Sequence, residues 1–225
     1  MATRAGAIAL IPAVPADTPD PEVQEIYALL APQFGGELLN YHLVLANDPA
    51  LMRVQLAMYL QVLGPDEELS VMDRLTIGLV VSKVKRCLYQ EQVLMFLLRW
   101  GTPEEPGIPK ERIVRIYQDF RQAGLPTRMQ EICRFAWRVA ENPRAVTVED
   151  RARLFDEGLS DRSVLQIVNV VAYYQYITMF VHALAIQADM DEERQLRLLR
   201  ASSRRRVQAE EDGTAGDGSL PIGSD

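Results

Sequence analysis

The chain has 225 residues, with 24 lysines and arginines against 31 aspartates and glutamates, which gives a formal net charge of -7. A chain of this length buries roughly 70% of its unfolded surface on folding, so its core needs no disulfide or metal. The negative charge argues against a nucleic-acid-binding protein. The N-terminus lacks a basic segment followed by an apolar stretch, and both cysteines lie in helical patterns, so we expect a cytoplasmic protein.

The pattern of side chains predicts an all-α protein. Apolar and polar residues do not alternate cleanly in any short run, whereas helix-start and helix-end signals recur along the chain. We divide the chain into an N-terminal extension (1–19), a helical domain (20–190), a charged helix extension (191–209) and a disordered tail (210–225). The arginine-rich extension is expected to be a solvated helix end, with a surface for an anionic partner as the alternative.

Several positions predict where helices begin and end. Asp20 and Asp48 each precede a proline, which combines a capping carboxylate with a residue that has no N–H to leave unpaired. Three pairs have the spacing of capping boxes: Ser70 with Asp73, Thr127 with Gln130, and Thr147 with Asp150. Helix ends are predicted at Gly64-Pro65, Gly101, Gly124 and Gly158.

One pattern recurs ninety residues further along the chain. Six residues of the first segment have identical counterparts in the second. They are Leu69, Ser70, Leu75, Ile77, Val80 and Val81, which correspond to Leu159, Ser160, Leu165, Ile167, Val170 and Val171. This indicates two core helices with the same cap and the same buried face. The repeat favours an internal duplication, although apolar helices also coincide by chance.

The segment 164–186 is long enough to cross a membrane. Five polar residues interrupt it: Gln166, Asn169, Gln175, Thr178 and His182. In a membrane span these side chains would lie all along the depth of the hydrocarbon. We therefore predict a buried central helix and no membrane partner.

Cys87, in the stretch "KRCLYQEQ", is the first candidate reactive residue. Lys83, Lys85 and Arg86 precede it, and a helix N-terminus close to it would favour the thiolate. The alternative is that Cys87 is a small buried apolar group. Cys133 shares a helical stripe with apolar residues and is expected to be plain core.

A cluster of polar residues on the predicted long helix is the second candidate site. The cluster spans about two turns of this helix and could line a small-molecule pocket. Its members are Tyr174, Gln175, Thr178 and His182. A hydrogen-bonded core histidine is the alternative for His182, and His42 is expected at a helix start. With two distant histidines and no HxxxH or CxxC pair, no metal site is predicted.

Three blocks of the chain resemble the superfamily of alkyl hydroperoxidase D (AhpD) and carboxymuconolactone decarboxylase, in its peroxidase-related branch. They are "LANDPALM", "RLTIGLVVSKVKRCLYQEQ", and the long stretch from "FAWRVAENPRAVT" through "GLSD" to "VHALAI", within about residues 40–190. The resemblance implies an all-α homo-oligomer without a bound cofactor. Its redox-active members use a CxxC pair, a histidine and a glutamate.

When the family's four positions are matched to this chain, the resemblance places Cys87 at the first thiol. The other three positions hold different residues. Gln90 stands at the second thiol, Leu94 at the histidine and Leu75 at the glutamate. Glutamine forms no disulfide and leucine moves no proton, so the dithiol reaction is not expected. A one-cysteine reaction with an external thiol reductant remains, in which Glu91 is a speculative helper or simply a solvent-facing carboxylate.

The final residues, "GDGSLPIGSD", resemble the targeting peptide of encapsulin cargo proteins. Such a peptide would place alternate apolar side chains into pockets on the inner wall of the shell. The residues that carry the resemblance are Ser219, Leu220, Ile222, Gly223 and Ser224. It implies an encapsulin shell protein as partner and a place inside a nanocompartment.

Together these features lead to three functional hypotheses. The first is a peroxidase-related protein in peroxide or redox defence, packaged in an encapsulin nanocompartment, with Cys87 as the remaining thiol. The second is a catalytically inactive binding or scaffold protein of the same fold. The third is a carboxymuconolactone decarboxylase-type enzyme, for which no acid or base residue stands out.

Overall fold

A computed structural model describes residues 7–34, 36–64, 68–102 and 105–188. These residues form α-helices and short 3₁₀ helices and no strand, which confirms the all-α prediction. The α-helices are α1 (Pro21–Leu30), α2 (Asn40–Leu45), α3 (Pro49–Leu63), α4 (Val71–Lys85), α5 (Leu88–Trp100), α6 (Lys110–Asp119), α7 (Thr127–Glu141), α8 (Val148–Asp156) and α9 (Asp161–Ala183). The predicted charged extension (191–209) and tail (210–225) lie outside the described residues.

Most of the predicted helix starts are confirmed. Asp20 caps α1 and Asp48 caps α3, each with a proline at the next residue. The capping boxes at Ser70 and Thr147 form as predicted. The predicted box at Thr127 is wrong, because Thr127 is already the first helical residue after Pro126. The amide of Gln130 instead donates to the carbonyl of Leu125, at 2.8 Å.

Two helices end at a residue with a positive φ, α5 at Gly101 and α4 at Arg86. Gly101, at the end of α5, has a φ of 70°, and a Cβ there would lie 2.2 Å from the carbonyl oxygen of Glu105. Arg86, at the end of α4, takes the left-handed conformation with a φ of 53°. Because this turn uses a single residue, Cys87 comes directly between the two helices.

Helix α4 is the centre of the molecule and packs against α5, α7 and α9. Its residues are buried on nearly every side from Met72 to Ser82. At Gly78 the ring of Tyr174 on α9 approaches so closely that a Cβ would lie 2.4 Å from the ring. Glycine at this position therefore sets the distance between the two central helices.

The two repeated segments form α4 and α9, and their burial agrees at five of the six pairs of positions. Each helix begins at a capping serine, Ser70 or Ser160, and the later apolar residues of both repeats are buried. The exception is Leu165, whose side chain is 68% exposed although its counterpart Leu75 is buried. The expectation of one common buried face is therefore wrong at Leu165, because α4 is enclosed by neighbours and α9 has one open side.

Helix α9 packs its inner face against α3, α4 and α7, as predicted for a central helix. By length and composition alone it could also cross a membrane, a test that core helices of soluble proteins pass as well. The helix ends at Ala183. The following residues pair with the N-terminal segment, where the N–H of Leu10 donates to the carbonyl of Leu184 at 2.8 Å.

The N-terminus of α9 is capped by a carboxylate from another part of the chain. Glu68 accepts hydrogen bonds from the backbone N–H of Ser160 at 2.8 Å and its hydroxyl at 2.7 Å, and from the hydroxyl of Ser163. The hydroxyls of Ser163 and Ser160 lower the pKa of the Glu68 carboxyl from 4.5 to about 2. A carboxylate at a helix N-terminus is also favoured by the helix dipole.

We predict that Glu68→Gln destabilises the protein at neutral pH and that the effect fades in acid. The pKa of Glu68 is lower in the folded chain than in the unfolded chain, so its stabilising effect is complete above pH 4.5 and is lost as the pH falls towards 2. Urea unfolding of wild type and variant over this range measures the difference. Glu141→Gln, at the exposed end of α7, is the control, and a pH-independent gap between wild type and Glu68→Gln would contradict the prediction.

Candidate functional site

Cys87 occupies the N-cap position of α5, so the condition that would favour its thiolate, a nearby helix N-terminus, is met. Its N–H donates to the carbonyl of Ser82 at 2.9 Å, which fixes the residue against the last turn of α4. The side chain is completely buried, with 0% of its surface exposed. The thiol is therefore held inside the protein at a helix N-terminus.

Two backbone N–H groups and one hydroxyl lie close to the sulfur of Cys87. Burial raises the pKa of the thiol above its usual value, while the N–H of Gln90, the hydroxyl of Thr178 and the N–H of Tyr89 lower it in part. The charge of Glu91 adds to the increase. At neutral pH the thiol is mostly protonated, and the two backbone N–H groups are placed to stabilise the thiolate when it forms. The hydroxyl of Thr178 donates to Gln90 instead.

The basic residues before Cys87 do not assist it as the sequence suggested. The ammonium group of Lys83 donates to the carbonyls of Tyr117 and Gln118, at the end of α6. Arg86 is exposed in its left-handed turn. The helix N-terminus and the Thr178 hydroxyl, rather than these cations, therefore determine the surroundings of the sulfur.

Gln90, at the position of the second thiol, joins α5 to α9. Its amide nitrogen donates to the carbonyl of Tyr174 at 3.0 Å, and its amide oxygen accepts from the hydroxyl of Thr178 at 2.8 Å. Gln90 is 3% exposed, so both polar ends of the buried amide are satisfied. Gln90 thus has a structural role of its own.

A cavity of about 60 Å³ lies beside Gln90 and Leu94. Most of its wall is apolar, and its polar residues besides Gln90 are five tyrosines and a histidine: Tyr41, His42, Tyr59, Tyr89, Tyr173 and Tyr174. The volume suits a ligand of few heavy atoms, since a single buried water needs a cavity of about 10–15 Å³. Leu75, at the family's glutamate position, is buried in the core and is not among the residues that line the cavity.

The tyrosine hydroxyls of the cavity are neutral hydrogen-bonding groups. Burial raises the pKa of Tyr59 to about 12 and that of Tyr173 well above its usual value. The hydroxyl of Tyr174 is buried and makes no hydrogen bond to any of the described residues. A polar group in this condition favours a ligand or a water molecule in the cavity.

His42 lies at the start of α2, as predicted, and it also lines the cavity. Its Nδ1 accepts from the N–H of Leu39 at 3.3 Å, and its ring lies 4.8 Å from that of Phe34. The ring is therefore fixed in orientation with Nδ1 as an acceptor. Its presence in the cavity was not predicted.

The predicted cluster on α9 separates in the structure. Tyr174 lines the cavity and Thr178 binds Gln90, but Gln175 is half-buried and His182 is exposed. A spacing of four residues advances about 40° around a helix, so the stripe that starts at Tyr174 has turned out of the core by His182. Both expectations for His182, a pocket residue and a core histidine, are therefore wrong.

Glu91 and Cys133 are both accounted for by their neighbours. The carboxylate of Glu91 interacts with the hydroxyl of Tyr117 and with Lys83, and burial is the main cause of its raised pKa. Cys133 is completely buried in the core, as predicted, and burial strongly raises the pKa of its thiol. Among the described residues no group of three histidine, cysteine or acidic side chains could hold a metal ion.

No protein-family model and no curated protein matches the chain. Solved structures do. A peroxidase-related protein from Ralstonia eutropha JMP134, described as an alkylhydroperoxidase AhpD core, is 19% identical with a TM-score of 0.73, over 84% of this chain and 95% of its own. A peroxidase-related protein from Silicibacter sp. TM1040 is 21% identical with a TM-score of 0.69, over 78% of this chain and 90% of its own.

Proteins with another activity share this architecture. A cysteine-to-alanine variant of the debrominase Bmp8, in complex with 2,3,4-tribromopyrrole, has a TM-score of 0.67 at 12% identity, over 84% of this chain and 96% of its own. Similarity at these levels of identity establishes the fold and leaves the activity open. The chain therefore has the all-α fold of the AhpD-like, peroxidase-related proteins.

Proposed function

We propose that the protein acts in peroxide or redox defence as an encapsulin cargo, with Cys87 as the single reactive thiol of its AhpD-like fold. The observation that carries the chemical part is the position of the sulfur at the N-terminus of α5, beside the backbone N–H groups of Tyr89 and Gln90. Such donors stabilise negative charge on sulfur. The neighbouring cavity gives a small hydroperoxide a place to bind.

The reaction needs one thiol of the protein and an external dithiol. The Cys87 thiolate attacks one oxygen of the hydroperoxide, the O–O bond breaks, and the other oxygen leaves as an alcohol after taking a proton. Cys87 becomes a sulfenic acid. The external dithiol then returns Cys87 to the thiol, forming its own disulfide and releasing water, because Gln90 cannot act as a resolving thiol.

Access to the sulfur limits the rate of this reaction. Gln90 lines the cavity and binds the hydroxyl of Thr178, which in turn contacts the sulfur of Cys87. A hydroperoxide in the cavity reaches Cys87 only when these two side chains rearrange. Together with the raised pKa of the thiol, this predicts slow turnover.

A second candidate function is ligand binding without turnover. Cys87 has no exposed surface and is not among the residues that line the cavity, whereas Tyr174, whose buried hydroxyl has no partner among the described residues, does line it. In this case the fold would hold a small uncharged ligand beside Gln90. The ligand would raise the melting temperature of the protein.

We expect the purified protein, with excess dithiothreitol, to consume hydrogen peroxide slowly and Cys87→Ser to lose this activity. Cys133→Ala is the matched control, because Cys133 is equally buried but lies in the middle of α7 rather than at a helix N-terminus, and it should keep the activity. Peroxide consumption measured over time gives the result. Equal rates in wild type and Cys87→Ser would contradict the one-thiol reaction, and ligand-dependent thermal stabilisation without turnover would favour the binding function.

The C-terminal tail supports the packaging part of the proposal through its sequence alone. We expect the full chain, co-expressed with an encapsulin shell protein, to co-purify with assembled shells. Deletion of 216–225, or Leu220→Asp with Ile222→Asp, should abolish this by removing the apolar side chains that bind the shell wall. Asp225→Asn should package normally. Shells that still enclose the deletion variant would contradict the proposal.

A further inference from the structure

The outer face of α9 carries an apolar stripe that the rest of the described chain leaves uncovered. Leu165 and Met179 are each 68% exposed, and Ala172, midway between them, is exposed too. These residues are seven apart, which places them on one side of the helix. The opposite side of α9 forms part of the core. The stripe therefore presents large apolar side chains to solvent at both ends and a small one in the middle.

The residues on either side of Ala172 match in chemistry at equal distances. Seven positions away on the two sides are Leu165 and Met179, both large and apolar. Three positions away are Asn169 and Gln175, both amides that donate and accept hydrogen bonds. Val168 and Tyr176, four positions away, are the exception, since the hydroxyl of Tyr176 accepts from the amide of Gln55 on α3 at 2.9 Å. The outer face of α9 is thus complementary to itself when one copy of the helix is reversed.

We propose that a second copy of this chain packs against the outer face of α9, with the two helices antiparallel and a two-fold axis at Ala172. Each residue before Ala172 then meets the residue at the same distance after it in the second copy, as a two-fold interface requires. Leu165 packs on Met179 of the second copy, and Asn169 faces Gln175. The small side chain of Ala172 lets the helices approach closely at the axis.

The polar residues beside the stripe favour a second copy over a lipid surface. Asn169 and Gln175 are half-buried on its two sides, and Asp161 and Arg162 are exposed at the start of the helix. A membrane would have to desolvate these groups without partners. In the paired arrangement the two amides bind each other and the charged residues remain at the rim. This inference does not depend on the proposed activity of Cys87.

Cysteine cross-linking of the intact protein tests the geometry directly. Ala172→Cys lies on the axis and should form a covalent dimer under mild oxidation. Neither Leu165→Cys nor Met179→Cys should do so alone, because equivalent residues fourteen positions apart lie about 21 Å from each other along the helices. The double variant Leu165→Cys/Met179→Cys should cross-link, since a disulfide needs Cα atoms within about 7 Å. Val54→Cys, at an exposed position on α3, is the control that should not.

The molecular mass in solution provides the second readout. Light scattering should show an oligomer for wild type, and Leu165→Glu/Met179→Glu should reduce the mass to half or less without loss of helical circular dichroism. Val148→Glu on α8 changes an equally exposed apolar residue and should leave the mass unchanged. A monomeric wild type, self-cross-linking of Leu165→Cys alone, or binding of monomers to phosphatidylcholine vesicles would each overturn the proposal.

Discussion

The hydrogen bonds of the Gln90 side chain hold the candidate site together. The amide joins the first turn of α5 to the carbonyl of Tyr174 and the hydroxyl of Thr178 on α9, entirely within the core. A buried amide that loses its partners costs about 1–3 kcal/mol, so this bridge fixes the two helices relative to each other. It also brings Thr178 to the sulfur of Cys87 and forms one wall of the cavity. The positions of the thiol and of the cavity both depend on it.

The central helix α4 positions both parts of this arrangement. Gly78 lets Tyr174 pack against α4, and the left-handed turn at Arg86 starts α5 one residue later at Cys87. A side chain at position 78 would move α9 outwards and with it Tyr174. The same packing that buries the thiol therefore sets the size of the cavity, and burial raises the pKa of the thiol although the helix N-terminus favours the thiolate.

The sequence predicted the features that depend on neighbouring residues in the chain. Caps such as Asp20 and Ser70 follow from local hydrogen bonding and were confirmed. Of the residues that line the cavity, the sequence indicated only Tyr174 as a pocket residue. His42 and the other tyrosines come from helices far apart in the sequence, and no pattern links them. His182 and Leu165 were misplaced for another reason: helical periodicity says which residues share a face, but only the packing of the helices decides which face is buried.

Oxidation of Cys87 in the intact protein is the most direct test of the claim that the fold retains a one-thiol site. Treatment with hydrogen peroxide in the presence of dimedone, followed by mass spectrometry, labels sulfenic acids and reports each cysteine separately. The account predicts a label on Cys87 and none on Cys133, since both thiols are buried but only Cys87 has donors placed to stabilise its thiolate. A folded protein with no label on Cys87, or with equal labels on both cysteines, would contradict it.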